Sequence, residues 1–305
     1  MSEAIAVVGL GIMGGAIANN LKLAGRSVRG FDIDPAARQR ATENGIEVTD
    51  SIRSLATGSS IILTSLPSFG AARTVVGEIV DAVSPGCAIV ELSTFSLAEK
   101  TLLRDEATKA GSILIDCPLS GTGAQAKTRD LVVYASGDDA TVDRCKPVFG
   151  EFAKKFFHLG AFGNGTKLKF IANHLVAIHN VASAEAMVLA MKAGLDLNQV
   201  VEVVGAGAGS SRVFEMRAPL MARNEYEPPT MQVETWFKDM DVITAFARTL
   251  KAPTPLFDST HAFYAAASSM GYGEVDTASV CAVLERMAGI VRPSSATSAK
   301  SSSKC

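Results

Sequence analysis

Five short apolar runs rich in Ile, Val and Leu punctuate the first 120 residues: Ala4 to Val8, Ser27 to Phe31, Ser60 to Ser65, Ala88 to Leu92 and Ile113 to Cys117. Continuous rather than alternating hydrophobicity over such lengths predicts strands covered on both faces. Helical patterns lie between them. Asp34-Pro35 supplies an N-cap with proline at the first helical position, and Ser96 with Glu99 three residues on reads as a capping box. Strands alternating with helices predict a doubly wound, mostly parallel sheet, which further strands near Leu131 to Ala135 and Phe156 to Leu159 are expected to extend. After Gly165 the strand signal stops. A run from about Thr166 to Ala193 contains no proline or glycine and ends at Gly194, as at a C-cap. It predicts a helix of roughly 40 Å, long enough to bridge two domains. Beyond it Asn198 to Val204, Val213 to Met221, Lys238 to Leu250, Pro255 to Met270 and Thr277 to Arg286 all read as helices. The resulting expectation is an α/β domain over residues 1–163, a linking helix over 164–194 and an all-helical domain over 195–292. The Ser-, Ala-, Thr- and Lys-rich stretch 293–305 reads as a disordered tail.

Composition narrows the function classes. With 305 residues, 48% of them hydrophobic and 20% charged, the chain can bury one large core or two modest ones. Twenty-nine basic against 31 acidic residues give a net charge of −2, with no broad field to draw in nucleic acid or an anionic membrane. A small-molecule partner is expected by elimination. Cys87, Cys117, Cys145, Cys281 and Cys305 are widely spaced and form no C-x-x-C pair, which predicts neither a disulfide framework nor a zinc cluster and fits a reducing cytosol. The start of the chain lacks a basic n-region, and four glycines break the apolar stretch from Ala4 to Ala18, so neither a signal peptide nor a membrane span is expected there.

The sharpest local signal is Gly9-Leu10-Gly11-Ile12-Met13-Gly14, a G-x-G-x-x-G that leaves a strand and opens a helix, followed by a second strand ending at Asp32. In that setting the pattern predicts a Rossmann-type dinucleotide site. Gly9 permits the tight turn, Gly11 lets the backbone approach a pyrophosphate, and Gly14 allows helix and sheet to pack closely. The alternative is a glycine turn needed for packing alone. Asp32 follows Gly9 by 23 residues, near the usual separation of about 20. A carboxylate there accepts hydrogen bonds from a free ribose 2′-hydroxyl and repels a 2′-phosphate, so NAD is expected over NADP. Against this, Asp32 could simply begin the Asp32-Ile33-Asp34-Pro35 turn, with Arg38 or Arg40 reaching a phosphate.

Candidate chemistry lies further along. Lys169 and Asn173 are four residues apart at the start of the long helix and share one face, so both could converge on one small group where an interdomain cleft is expected. Solvated surface residues are the alternative. Asp116-Cys117-Pro118-Leu119-Ser120-Gly121-Thr122-Gly123 leaves a strand and enters a loop whose backbone N–H groups could form a nest for a carboxylate, or a plain turn satisfied by its own hydroxyls. His158, His174, His179 and His261 show no metal-ligand spacing and read as structural or surface histidines. Gly205 to Gly209 follows a helix and lacks a P-loop lysine, so it reads as a hinge, with Ser210 or Ser211 capping the next helix.

Four separated motifs together resemble the β-hydroxyacid dehydrogenases, the family of 3-hydroxyisobutyrate dehydrogenase and tartronate semialdehyde reductase. They are the Gly9 to Gly14 loop, Asp116-x-Pro118-x-Ser120-Gly121, Gly163-x-Gly165-x-x-x-Lys169-x-x-x-Asn173, and Lys238-Asp239. The resemblance runs from Ala4 to about Met287. It implies that Lys169 is the catalytic lysine, that Asn173 helps hold the substrate, and that Ser120, Gly121 and Thr122 form the carboxylate-binding loop. It also implies that Lys238 sits by cofactor and substrate, that Leu66, Pro67 and Thr94 line the cofactor, and that a dimer or tetramer assembles through the helical domain. Departures from the family pattern are Thr122 for a usual glycine, Ala172 for the first of two asparagines, and Arg129 for a glycine. These bear on substrate identity, as do Ser210, Ser211, Arg212 and Trp236, which lie in segments the family brings toward the cleft.

The expected reaction is hydride transfer between a small hydroxyacid and nicotinamide, with the Lys169 amine exchanging the hydroxyl proton. A lysine with a reference pKa near 10.4 must be lowered for that task, by desolvation and a neighbouring cation such as Lys238. An imine reductase or phosphogluconate dehydrogenase relative would share the architecture; Lys169 argues against the first and the modest helical domain against the second. A dinucleotide-binding scaffold or sensor is the alternative of another class.

Overall fold

In the computed structural model, residues 4–292 are described; the serine-rich segment read above as a tail lies outside them. Six strands, β1 (Ile5–Val8), β2 (Val28–Phe31), β3 (Glu47–Val48), β4 (Ile61–Thr64), β5 (Ala88–Glu91) and β6 (Ile113–Asp116), form a parallel sheet in the order β3-β2-β1-β4-β5-β6. The helices between them are α1 (Ile12–Leu23), α2 (Pro35–Glu43), α3 (Ile52–Ala56), α4 (Phe69–Val80) and α5 (Leu97–Lys109).

The period of two along each strand divides the apolar residues between two cores. Ile5 and Val7 join Ile17 and Leu21 of α1 and Ala37 and Ala41 of α2 on one face. Ala6 and Val8 join Leu55 of α3, Val76 and Ile79 of α4 and Leu103 of α5 on the other. Fully burying each such Ile, Leu or Val contributes about 1.5–3 kcal/mol, so the uninterrupted hydrophobic runs are the requirement of a sheet with helices on both sides.

Beyond β6 the structure corrects one expectation. The segments near Leu131 to Ala135 and Phe156 to Leu159 do form strands, β8 (Val132–Ala135) and β9 (Lys155–His158), but they do not extend the main sheet. They make a second sheet with the short β7 (Leu119–Ser120), in the order β7-β8-β9, with β7 antiparallel to β8. Pro118, which has no N–H to donate, lies between β6 and β7, and the chain folds back so that Tyr134 N–H bonds Pro118 O. A single antiparallel bridge, Asp116 to Ser136, joins the end of β6 to the end of β8. Helices α6 (Gly123–Lys127) and α7 (Asp139–Phe152) complete this part, and α7 buries Val142, Cys145, Phe149 and Phe152 in the first core.

The long helix α8 spans Asn164–Lys192. The chain divides into two compact units within it, between Ala172 and Asn173. In the second unit follow α9 (Leu197–Gly205), α10 (Arg212–Arg223), α11 (Val233–Thr249), α12 (Pro255–Ala267) and α13 (Val280–Met287). The helix expected over Pro255 to Met270 loses α geometry after Ala267, where a π-helical turn runs to Tyr272 through Gly271 at φ +86°. Length and hydropathy alone would let α8 cross a bilayer. Its buried face nonetheless carries Asn180, whose Nδ2 donates to Tyr264 Oη at 3.0 Å and to Thr277 O at 2.9 Å inside the helical unit, beside buried Ala177, Ala184 and Met187.

Candidate functional site

The sheet order reverses between β1 and β4, since the chain winds outward from β1 through β2 to β3 and then returns to β4 on the other side. The crevice beyond the carboxyl ends of the strands at such a switch point is where open α/β sheets bind ligands. The Gly9–Gly14 loop sits there, leaving β1. A Cβ on Gly9, at φ +89°, would lie 2.1 Å from Ser65 O, and one on Gly14 would lie 1.8 Å from Gly9 O. Backbone therefore fills both positions. A Cβ on Gly11 would meet nothing within 4 Å, so that residue borders open space. Helix α1, which begins next to it, has no side-chain cap and no acidic residue in its first turn. By contrast α2 to α7 each start on a capping side chain: Asp34, Ser51, Ser68, Ser96, Thr122 and Asp138. An uncapped helix N-terminus behind a residue without a side chain fits an anionic group such as a pyrophosphate.

The neighbouring loops close around this point. Leu10 N–H donates to Asp32 Oδ2 at 2.6 Å and Asp34 N–H to Oδ1 at 2.9 Å. Asp32 thus braces the glycine loop and begins the turn before α2, with Ile33 beside it 88% exposed. After β4, Leu66 approaches Gly9: a Cβ there would be 3.3 Å from Leu66 Cδ2. Leu66 N–H donates to Ser93 Oγ at 2.9 Å, joining the loop that holds Leu66 and Pro67 to the one that holds half-buried Thr94. Ile12 reaches the start of α6, where a Cβ on Gly123 would fall 2.3 Å from Ile12 Cγ2.

That contact seats the Ser120-Gly121-Thr122 loop against the glycine loop. Gly121 is at φ +132°. Thr122, however, is engaged locally. It caps α6 in a reciprocal box with Gln125, whose Oε1 accepts from Thr122 N–H at 3.0 Å. Of the two readings open for this loop, the turn satisfied by its own hydroxyl describes the Thr122 side chain.

The first turn of α8 is anchored on the end of β6. Thr166 N–H and Oγ1–H donate to Asp116 Oδ2 and Oδ1, both at 2.8 Å, and Gly165 N–H donates to Ser136 Oγ at 2.9 Å. A side chain at Gly165 would strike Tyr134 O at 2.2 Å. Lys169 lies one turn further along the helix. In the second unit Asn173, 6% exposed, donates through Nδ2 to Asp239 Oδ2 at 2.9 Å. This pairs α8 with the Lys238-Asp239 step of α11 and fixes which way the carboxamide points. Trp236 lies in a segment expected to face a cleft, but it is 2% exposed and packs toward Tyr264, with ring centroids 6.4 Å apart. Ser211 caps α10 by accepting from Phe214 N–H, and Arg212 pairs with Glu215.

At this end of the sheet, Glu91 and Lys100 escaped the sequence reading. Glu91, the last residue of β5, and Lys100 of α5 are both fully buried, with Asp116 beside them. The signal was present: Lys100, Leu103 and Ala107 recur at the spacing of one helix face, and Glu91 ends a strand covered on both sides. Three of the four histidines have structural partners. His174 stacks on Phe257, His261 contacts Thr244 and Phe257, and His158 pairs with Asp139. Cys87, Cys117, Cys145 and Cys281 are buried thiols outside any disulfide. Burial pushes the Cys145 thiol up to about 11 and raises Cys117 well above its ordinary value, leaving little thiolate at neutral pH.

Comparison with known proteins agrees with this geometry. Residues 4–160 match the model of the NAD binding domain of 6-phosphogluconate dehydrogenase, and residues 163–284 match that of the NAD-binding region of NADP-dependent 3-hydroxyisobutyrate dehydrogenase. L-threonate dehydrogenase of Escherichia coli (strain K12) is 31% identical over 294 residues, 95% of this chain and 96% of that protein. 2-(Hydroxymethyl)glutarate dehydrogenase of Eubacterium barkeri is 28% identical over 94% of this chain and 96% of its own length. The structure of Mycobacterium tuberculosis 3-hydroxyisobutyrate dehydrogenase with L-serine superposes with a TM-score of 0.84 at 28% identity, covering 93% of this chain and 99% of that one.

Proposed function

The chain belongs to the β-hydroxyacid dehydrogenase family, and from that premise we propose that it interconverts a small carboxylate-bearing hydroxyacid and its semialdehyde or keto form, with NAD as the preferred cofactor. The relatives named above act on L-threonate and 2-(hydroxymethyl)glutarate, which supports a short polar acid as substrate. The observation that carries the reading is the seating of α8. Its first turn is bonded to Asp116 at the carboxyl end of β6, the edge from which the glycine loop also rises, so Lys169 leaves the sheet on the side that binds the dinucleotide.

When bound, nicotinamide supplies the hydride acceptor or donor. The Gly9–Gly14 backbone and the uncapped start of α1 would hold the pyrophosphate, and Leu66, Pro67 and Thr94 would line the cofactor. The Lys169 amine takes the hydroxyl proton during oxidation and returns it during reduction. Asn173 has one amide hydrogen committed to Asp239, and we assign its Oδ1 and remaining N–H to the substrate. Ser120 and Gly121 receive the carboxylate, and Lys238 is the cation we assign to substrate and cofactor. Asp32 selects NAD. With Oδ1 and Oδ2 each accepting one backbone N–H, the group is fixed where a ribose hydroxyl can donate to it and a 2′-phosphate would be repelled.

The test is Lys169→Ala assayed on L-threonate and a panel of C3 to C6 hydroxyacids. Removal of a general acid–base group lowers kcat by roughly 10²- to 10⁴-fold, with the dissociation constant of NADH unchanged. Turnover within a few-fold of the parent protein would assign the proton transfer to another residue.

A further inference from the structure

Glu91, Lys100 and Asp116 are each 0% exposed. The Lys100 ammonium pairs with Glu91 Oε2 and lies 3.1 Å from Asp116 Oδ1. Burying such a group as an isolated ion pair gives little stability, since well-packed apolar residues of similar volume often do as well. Apolar residues cannot, however, fix the N–H groups of surrounding loops, and these two carboxylates do so on opposite sides. Glu91 Oε1 accepts from Ser93 N–H at 3.0 Å, and Ser93 Oγ accepts from Leu66 N–H. Asp116 accepts from Thr166 N–H and Oγ1–H, and its Oδ2 also accepts from Ser136 Oγ–H at 3.2 Å. The Ser136 oxygen in turn accepts from Gly165 N–H.

A continuous polar path therefore runs from the loop of Leu66 and Pro67, through Ser93, Glu91, Lys100 and Asp116, to the first turn of α8. We propose that Lys100 is a positioning residue that locks the cofactor-lining loops after β4 and β5 to the start of the helix bearing Lys169. The part that concerns Lys169 rests on the catalytic reading above; the part that concerns the cofactor loops stands without it. Lys100 is a cation set between two carboxylates. Burial opposes its charge, but Glu91 and then Asp116 outweigh the burial and raise its pKa above the ordinary lysine value, so the clamp is charged at neutral pH. Without it, the two carboxylates face each other in a water-poor site, and relief comes by taking up a proton between them or by moving one loop or the other; either change alters the hydrogen bonds that hold the loops.

Lys100→Met keeps an unbranched side chain only one atom shorter and removes the charge. Small displacements of positioned groups cost up to about 10²-fold in rate, so the expected loss in kcat on L-threonate, or on the best acid of the panel, is at least tenfold. The dissociation constant of NADH or NADPH, whichever binds more tightly, is expected to rise at least about threefold, read by cofactor fluorescence without substrate. In the Lys169→Ala background the same change is expected to add less than about twofold to the loss in kcat, because groups acting through one another are not additive. A lower melting temperature with unchanged kcat and unchanged cofactor affinity overturns the proposal, as that is the signature of a stabilising role alone. A full multiplicative loss in the double variant overturns action through Lys169. If Lys169→Ala leaves turnover intact, the catalytic reading fails, and cofactor affinity in Lys100→Met still decides the remainder. Should Lys100→Met not fold, Thr166→Val and Thr166→Ser replace it: the hydroxyl-free variant is expected to lose about fivefold or more in kcat and the serine variant to stay within about twofold. Equal activity in both overturns the proposal.

Discussion

The three motif glycines occupy different surroundings, so alanine should have different consequences at each. At Gly14 the added methyl falls 1.8 Å from Gly9 O, a backbone atom that cannot rotate away. Overpacking of this kind costs about 1–3 kcal/mol and can exceed that against backbone. At Gly9 a clash of 2.1 Å with Ser65 O adds to a left-handed φ of +89°, itself worth about 1–2 kcal/mol for a residue with a Cβ. At Gly11 the methyl enters open space, and replacing an N-cap glycine by alanine costs about 0.5 kcal/mol. For a unit of this size 1 kcal/mol moves Tm by about 2–4 °C. Gly11→Ala should therefore melt within about 2 °C of the parent, while Gly14→Ala and Gly9→Ala should melt at least about 4 °C lower. Cofactor binding should follow a different order. The methyl introduced by Gly11→Ala occupies the space a pyrophosphate needs, so this variant is expected to bind NADH about tenfold or more weakly, equivalent to about 1.4 kcal/mol. Thermal scans without cofactor and fluorescence titration with NADH separate the two quantities. A Gly11→Ala protein as unstable as Gly14→Ala, or one that binds NADH like the parent, refutes the assignment of Gly11 to the ligand-facing position.

Three further outcomes follow from named contacts. Asp32→Asn keeps the shape of the side chain but removes its repulsion of a 2′-phosphate, so the ratio of kcat/KM with NAD to that with NADP should fall by about tenfold or more; an unchanged ratio would place cofactor selection elsewhere. Thr122→Gly should cost only a few tenths of a kcal/mol in melting experiments and Thr122→Ala about 1 kcal/mol, because the side chain caps α6, whereas equal effects would mean that the cap is idle. Asp138 caps α7, and hydrogen bonds from the Thr141 hydroxyl and then its N–H hold its carboxyl below the usual value. A folded pKa below the unfolded one gives stability that is present above about pH 3.9 and disappears as pH falls through the folded value. The Tm gap between the parent and Asp138→Ala should accordingly hold steady above about pH 5 and close in stronger acid; a gap independent of pH would contradict it.

Much of the first unit was legible because its strands are buried on both faces and therefore announce themselves as unbroken apolar runs. Caps at Asp34, Ser96 and Ser211 were readable because each places a side-chain acceptor before orphaned N–H groups. The second sheet was misread because an apolar run does not state its partner: β8 is as hydrophobic as a strand of the main sheet, and only Pro118 and the two-residue β7 divert it. The two-residue β3 carries too little pattern to be seen at all. Among the candidate site residues, the glycine loop was readable in full because steric need fixes residue type. The bond from Asn173 to Asp239 spans 66 residues of sequence, and no local spacing encodes it.

The buried cluster shows how such a site could be read. Charged residues on a strand covered from both sides have no solvent to reach, so Glu91 and Asp116, each closing a strand of the central sheet, already require a buried counter-charge. Helix α5 connects those two strands, and its inward stripe of Lys100, Leu103 and Ala107 contains one cation. Beyond the ammonium, Asp116 is met by oriented dipoles. The N–H of Thr166 at the start of α8 supplies one of them at 2.8 Å. The carboxylate at the end of β6 thus holds the first turn of the helix that carries Lys169.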